Sequence, residues 1–152
     1  MHDCCFTCDD NWFRYRAVAI IIEGTEILLA TNNDYLYSIG GAVQMNETAE
    51  DAVVREVFEE SGLKYEIDKF VGVHENFFRD KKIGDYNCHE LALYFLMKPQ
   101  GKQDPLGDRE SVWIPISELK NYKKHIDFID AYLSSNNDFL HIVTIDKRGI
   151  DE

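Results

Sequence analysis

No stretch of the chain approaches the roughly 20 consecutive apolar residues that a membrane-spanning helix needs. The N-terminus, Met1-His2-Asp3-Cys4, has neither the basic start nor the apolar core of a secretion signal. Positive charge is scarce as well. Sixteen Lys and Arg stand against 28 Asp and Glu, a formal charge of −12. Such a surface repels nucleic-acid backbones and anionic membranes, so neither is an expected partner. An anionic small molecule would need local relief from that field, which a bound divalent cation can supply. With 3 Pro and 9 Gly in 152 residues, and no repeat or low-complexity run, nothing marks a boundary between domains. Cysteine is sparse beyond the N-terminus: Cys4, Cys5 and Cys8 crowd there, and only Cys88 lies elsewhere. Cys4-x3-Cys8, with His2 nearby, loosely fits half of a zinc site, but no second pair completes it. Reduced thiols on a cytoplasmic protein are the simpler expectation.

The rest of the chain reads as an ordinary globular domain with its own core. Residues 1–12 are polar and read as a loose arm, leaving one domain over 13–148. Arg16 to Ile22 is a β-branched run suited to a strand buried on both faces. Glu26 to Ala30 returns as a second strand after turn residues. Tyr35 to Ile39 forms a short extended piece that ends at Gly40-Gly41. Residues 48–61 read as a helix, with Thr48 as N-cap and Gly62 at the C-terminal cap. Lys64 to His74 reads as a broken strand, 75–87 as a charged loop, and His89 to Met97 as a strand. After a polar loop over 99–109, Val112 to Ile114 reads as a strand and Pro115 opens a helical turn. A final amphipathic helix around Ile126, Ile129 and Leu133, and a strand over Phe139 to Ile145, complete the pattern. Strands around two main helices predict an α+β fold, an α/β/α sandwich with a mixed β-sheet.

The helix carries the chemistry. Between positions 47 and 60 stand six acids (Glu47, Glu50, Asp51, Glu56, Glu59, Glu60) and one base, Arg55. At 3.6 residues per turn, Glu56, Glu59 and Glu60 share one side, and Glu56 and Glu60 are one turn apart. Like charges at that spacing oppose helix formation, and Glu59 and Glu60 sit at the end where the helix dipole disfavours anions. Two local rules broken together mark a functional site. Three such carboxylates offer hard oxygens suited to Mg²⁺ or Mn²⁺. Such an ion can hold phosphate oxygens and activate water. Gly40-Gly41 lets backbone approach a ligand, and Arg55 reaches Glu59 at i,i+4. Charge spacing alone fits a solvated acidic helix face equally well.

The full spacing resembles the Nudix box, Gly-x5-Glu-x7-Arg-Glu-U-x-Glu-Glu-x-Gly-U with U aliphatic. Gly41, Glu47, Arg55, Glu56, Val57, Glu59, Glu60, Gly62 and Leu63 all agree. The match spans residues 41–63; Ile39 stands where many members have Pro. The resemblance implies metal-dependent hydrolysis of a nucleoside diphosphate linked to another moiety. It implies Glu56, Glu59, Glu60 and the Gly40 carbonyl as metal ligands, with Arg55 and Glu47 steadying loop and helix. A general base would be Glu56 or a later-loop acid, for which Glu110 and Asp108 are candidates. Glu56, Glu59, Arg55 and Glu110 are thus the expected catalytic set.

Other residues stay open. Glu90 is a further metal-shell candidate or a surface acid; His89 reads as structural. Tyr35, Tyr37, Phe77, Phe78 and Tyr86 offer rings for a nucleobase or for rim packing. Arg14, Arg16, Arg79, Lys81 and Lys82 offer charge for phosphate or ribose. The residues after the box match neither the ADP-ribose nor the dinucleoside polyphosphate pattern: Phe78, Arg79, Asp80 and Lys81 occupy those places. The expected partner is a small nucleotide-like diphosphate, with a homodimer possible. Two other readings are a non-catalytic nucleotide or nucleotide-sugar sensor, which the short chain disfavours, and a prenyl-diphosphate isomerase, which would need a reactive Cys88.

Overall fold

The computed structural model describes residues 2–80, 84–106 and 110–146. Eleven strands and two α-helices appear among them, in the order β1 (Cys5–Cys8), β2 (Asn11–Ile20), β3 (Ile22–Glu23), β4 (Glu26–Asn32), β5 (Tyr35–Tyr37), β6 (Ile39–Ala42), α1 (Ala49–Ser61), β7 (Ile67–Asp80), β8 (Tyr86–Met97), β9 (Ser111–Pro115), β10 (Lys123–His125), α2 (Asp127–Ser134) and β11 (Leu140–Ile145). A 3₁₀ turn, Ile116–Asn121, follows β9.

The main sheet is mixed and six-stranded. Its order is β1-β2-β8-β7-β11, with β6 on β2 beside β1. β2 runs parallel to β8, β7 antiparallel to β8, and β11 parallel to β7. Alternation along β2 feeds two cores. Ala17, Ala19 and Ile21 face α1 and its Ala52, Val53 and Val57. Val18 and Ile20 face α2 and its Phe128 and Ile129. A second sheet, β10-β5-β4-β3 with β9 on β4, flanks the α2 core. Helices on opposite faces of a mixed sheet make the α/β/α sandwich that the pattern of elements predicts.

Several boundaries differ from the sequence reading. The described part of the expected loose arm, residues 2–12, is ordered: β1 pairs with Asn11–Arg14 of β2. The chain before it also fastens the box loop, since Cys4 N–H donates to Val43 O (2.7 Å) and Met45 N–H to His2 O (2.7 Å). Polar residues mislead here because β1 is exposed along its whole length and is held by backbone pairing, which any side chain permits. Within the charged segment 75–87, residues 75–80 and 86–87 are likewise strand rather than loop, with β7 running to Asp80 and β8 starting at Tyr86. Phe77 pairs with His89 and Phe78 with Cys88 across it. Residues 147 and 148, the expected end of the domain, lie outside the described residues. No helix among those described is long and apolar enough to cross a membrane.

Candidate active site

Local capping sets the helix that carries the site. Thr48 Oγ1 accepts from Asp51 N–H (3.1 Å), and Gly62 closes the helix in the left-handed region at φ 74°. Glycine is favoured there because a Cβ would clash. The Gly62 N–H donates to Phe58 O (2.8 Å).

Arg55 is the hub between helix and loop. Its Nε and Nη2 donate to Glu47 at 2.8 and 2.9 Å, and Nη2 also donates to Ala42 O at 3.0 Å. Glu47 Oε1 accepts from Gln44 N–H (3.0 Å), so one planar fork locks the loop Ala42–Glu47 to the helix. The Arg55 hydrogen bonds lower the Glu47 pKa despite its burial, and the same carboxylate raises the Arg55 pKa. Arg55 Nη1 turns the other way, to Glu56 Oε1 (2.9 Å) and Glu59 Oε2 (3.2 Å). A single positive group thus sits between two box carboxylates.

The paired glycines take up the remaining contacts. A Cβ built on Gly41 would lie 2.5 and 2.6 Å from the two oxygens of Glu56. The Glu56 carboxylate therefore rests where any other residue would put a side chain. Gly40 N–H donates to Glu60 Oε2 at 2.9 Å, and Glu60 is buried while Glu59 is about half exposed (53%). The Glu60 carbonyl accepts from Ser111 Oγ (2.8 Å), and Thr31 N–H donates to Glu110 O (2.9 Å). These bonds bring the exposed Glu110 to the helix end that carries the carboxylates. Asp108 lies outside the described residues.

Gly40, Gly41, Glu47, Arg55, Glu56, Glu59 and Glu60 are thus brought together around one end of the loop–helix junction. The three glutamates do not stand as a formed cage: among the described residues, no three His, Cys, Asp or Glu side chains converge on one point. Glu56 and Glu59 lean on Arg55, and Glu60 on Gly40. The four cysteines are free thiols and make no zinc site among those residues.

The other candidates sort clearly. Glu90 is neither a surface acid nor a spare ligand: it is buried and receives both Arg14 and Arg16. His89 stacks on Phe77 (centroids 4.5 Å apart), a packing role. A cleft of about 460 Å³ opens at that end of the sheet, lined by Phe6, Phe13, Phe77, Phe78 and His89, and none of the box glutamates borders it. Tyr86 meets Trp12 edge-on (6.0 Å). Tyr35 stacks flat on His125 (5.0 Å, 5°), which also meets Tyr37 (5.5 Å). The sequence reading missed His125, because nothing local signals that β10 lies beside β5. It also missed the sharing of Glu90 by two arginines, since residues 14 and 90 meet only through the parallel register of β2 and β8.

Buried ion pairs make stability depend on pH. Burial alone would raise the Glu90 pKa, but Arg16 and Arg14 hold it below the ordinary carboxylate range. The unfolded chain therefore binds this proton first as pH falls. The stabilisation is complete above the unfolded carboxylate pKa of about 4.3 and is lost as pH drops through the lower folded value. Burial depresses the His74 pKa as well, which adds to acid lability below about pH 6.5. Glu90→Gln is expected to lower the melting temperature at pH 7 and to flatten its fall between pH 5 and 3. Parallel melting curves for variant and wild type would disprove that account.

The sequence model of the NUDIX domain matches residues 13–133. The chain belongs to the NUDIX family. A NUDIX relative, the NAD-capped RNA hydrolase NudC of Pectobacterium carotovorum subsp. carotovorum (strain PC1), is 30% identical over 125 residues, covering 76% of this chain and 45% of that protein. The ADP-ribose pyrophosphatase of Methanocaldococcus jannaschii is 35% identical over 101 residues, covering 64% of this chain and 57% of that protein. The chain spans about half the length of these two relatives. The crystal structure of the Bacillus halodurans mutator MutT protein superposes with a TM-score of 0.68 at 15% identity, covering 88% of this chain and 92% of that one. That likeness establishes the NUDIX fold.

Proposed function

We propose that this NUDIX domain is a divalent-metal-dependent pyrophosphohydrolase that cleaves the phosphoanhydride bond of a nucleoside diphosphate linked to another moiety. One observation carries the reading. The Glu47–Arg55 fork locks loop to helix, and the locked loop sets Glu56 on Gly41 and Glu60 on Gly40. A helix with only a solvated acidic face would need no such brace. The donor chemistry fits Mg²⁺ or Mn²⁺: Glu56, Glu59, Glu60 and the Gly40 carbonyl are all hard oxygens. Glu56 and Glu59 already hold one positive group, the Nη1 edge of Arg55, between them. A bound divalent ion would offset phosphate charge and lower the pKa of water there.

This chain's own residues supply the rest. Arg55 and Glu47 hold the ligands in register. Glu56, or Glu110 just before β9, accepts the proton of the attacking water. The isomerase reading finds no support at Cys88, because burial pushes its thiol pKa up and leaves it a poor nucleophile. The free thiols fit a reducing, cytoplasmic setting.

The test is a panel of nucleoside diphosphate derivatives, including ADP-ribose and a nicotinamide–adenine dinucleotide, assayed with Mg²⁺ and with Mn²⁺ and resolved by product. At least one member is expected to yield two phosphate-bearing products, with cleavage abolished by a chelator. Tight binding without cleavage across the panel would favour a sensor instead.

A further inference from the structure

Of the five basic side chains that the sequence offers for phosphate contact, the structure singles out two. Arg79 is closed into the β7–β8 tip by Asp85 through two 2.8 Å bonds. Lys81 and Lys82 lie outside the described residues. Arg14 and Arg16, two apart on one face of β2, converge on Glu90 instead.

The charge in this group does not cancel. Glu90 Oε2 accepts from Arg14 Nε (3.1 Å) and Nη2, and Oε1 accepts from Arg16 Nη1 (3.3 Å). One carboxylate against two guanidinium groups leaves a net positive charge. The arginine side chains are only 25% and 22% exposed, so salt screens that charge less than it would at the surface. Arg14 is also braced by rings, lying over Trp12 at 4.9 Å and Phe78 at 5.7 Å.

Arg16 keeps unused capacity. A guanidinium has five N–H donors, yet Nη1 is the one Arg16 side-chain nitrogen that makes a hydrogen bond among the described residues. No fully buried side-chain nitrogen lacks a partner among those residues, so Nε and Nη2 of Arg16 are not fully sealed from solvent. Its place on the sheet matters too. Across β2 and β6, Arg16 pairs with Ala42, and Val18 with Gly40. Arg16 thus stands two pairings from the glycine whose N–H holds Glu60. Burial opposes the Arg16 charge, but Glu90, Tyr94 and Glu60 together keep its pKa above the ordinary value.

We propose that Arg16, anchored by Glu90 and flanked by Arg14, binds non-bridging oxygens of the substrate's diphosphate beside the box glutamates. In a chain of charge −12, this partly buried Arg–Glu–Arg group draws an anionic substrate toward a carboxylate-rich site. Glu90 is a positioning residue: it fixes the two guanidinium planes without touching the ligand. The assignment rests on the pyrophosphohydrolase reading for the identity of the anion, but not on turnover.

The test therefore uses a ligand that cannot be cleaved at its bridge. α,β-Methylene-ADP is titrated calorimetrically, with Mg²⁺ present, into wild type, R16A, R16K, R14A and the charge-balanced double variant R16Q/E90Q, with thermal melts alongside. Wild type is expected to bind, and R16A to bind at least about tenfold more weakly, the scale of a lost charge-assisted hydrogen bond. R16K should recover part of the loss, since it restores charge without the fork. R16Q/E90Q should bind as weakly as R16A even where R16A itself is unstable. Arg79→Ala, at the distant tip, should stay within about twofold of wild type. Failure of wild type to bind, undiminished binding by both R16A and R16Q/E90Q, or an equal loss in Arg79→Ala would each overturn the proposal. Undiminished binding by those variants, together with cleavage of the substrate panel by wild type, removes only the Arg16 assignment. Arg16-dependent binding with no cleavage of the panel removes the hydrolase reading and leaves Arg16 in place.

Discussion

Glu59→Gln is expected to cut turnover by about a hundredfold or more while leaving the melting temperature within a few degrees of wild type. The structure separates the two effects. Glu59 is half exposed, and among the described residues its side chain bonds Arg55 Nη1 at 3.2 and 3.4 Å. An exposed pair of that kind contributes about 0–1 kcal/mol to stability, and Gln keeps an oxygen that can still accept from Arg55. The loss of charge is another matter. Charge-stabilising groups placed beside a reacting centre commonly account for factors of about 10²–10³ in rate, and a neutral amide is a much poorer ligand for a divalent ion. Glu60→Gln is a less clean version of the same change, because Glu60 is buried and its carboxylate accepts from Gly40 N–H. The measurement is kcat across a Mg²⁺ titration, with a melt in parallel. Wild-type kcat at saturating Mg²⁺ in the Glu59 variant would remove that residue from the catalytic set.

What could be read from the sequence follows from how far each signal travels along the chain. Helix α1 was legible to within a residue because its determinants are local: the Thr48 cap, the Gly62 cap and the apolar positions Ala52, Val53 and Val57. The Glu47–Arg55 brace was legible as a family pattern, and the structure gives its physical content as a two-pronged guanidinium bond. Features built from distant segments were hidden. The pairing of β1 with β2 turned an expected loose arm into a clamp on the box loop. The length of β7 and β8 was masked by Glu75, Arg79 and Asp80, whose charges resemble a loop until a paired strand gives them a wet face. Glu90 looked like one more acid among 28 until the β2–β8 register set Arg14 and Arg16 against it.

The two adjacent glycines should fail in opposite ways when each is changed to alanine. Gly41→Ala is expected to lower activity by at least tenfold with little change in melting temperature. Its new Cβ would come within 2.5 and 2.6 Å of the Glu56 oxygens. Those atoms are the far end of a flexible side chain, so the clash is relieved by a rotamer change rather than by movement of backbone. Gly41 has no positive φ among the described backbone angles. Alanine is therefore free of strain there, and it reduces the entropy of the unfolded chain, an effect of about 0.4–1 kcal/mol in favour of folding. The cost falls on position: the Glu56 carboxylate leaves its seat and its 2.9 Å contact with Arg55 Nη1, and displacements of about 1 Å in a catalytic group can lower rates a hundredfold. Gly40→Ala meets the backbone of β2 instead, with Ala17 O at 2.5 Å and Val18 Cα at 2.8 Å. Backbone in a central strand does not rotate away. That variant should push β6 off β2 and lose stability, on the scale of about 1–3 kcal/mol for overpacking, along with the Gly40 N–H bond to Glu60. Melting curves and kcat for both variants decide the matter. A stable but inactive Gly41→Ala beside an unstable Gly40→Ala supports the view that the first glycine spaces strands and the second seats a carboxylate. Full activity in Gly41→Ala would mean that Glu56 works from a different place than the one it occupies against that glycine.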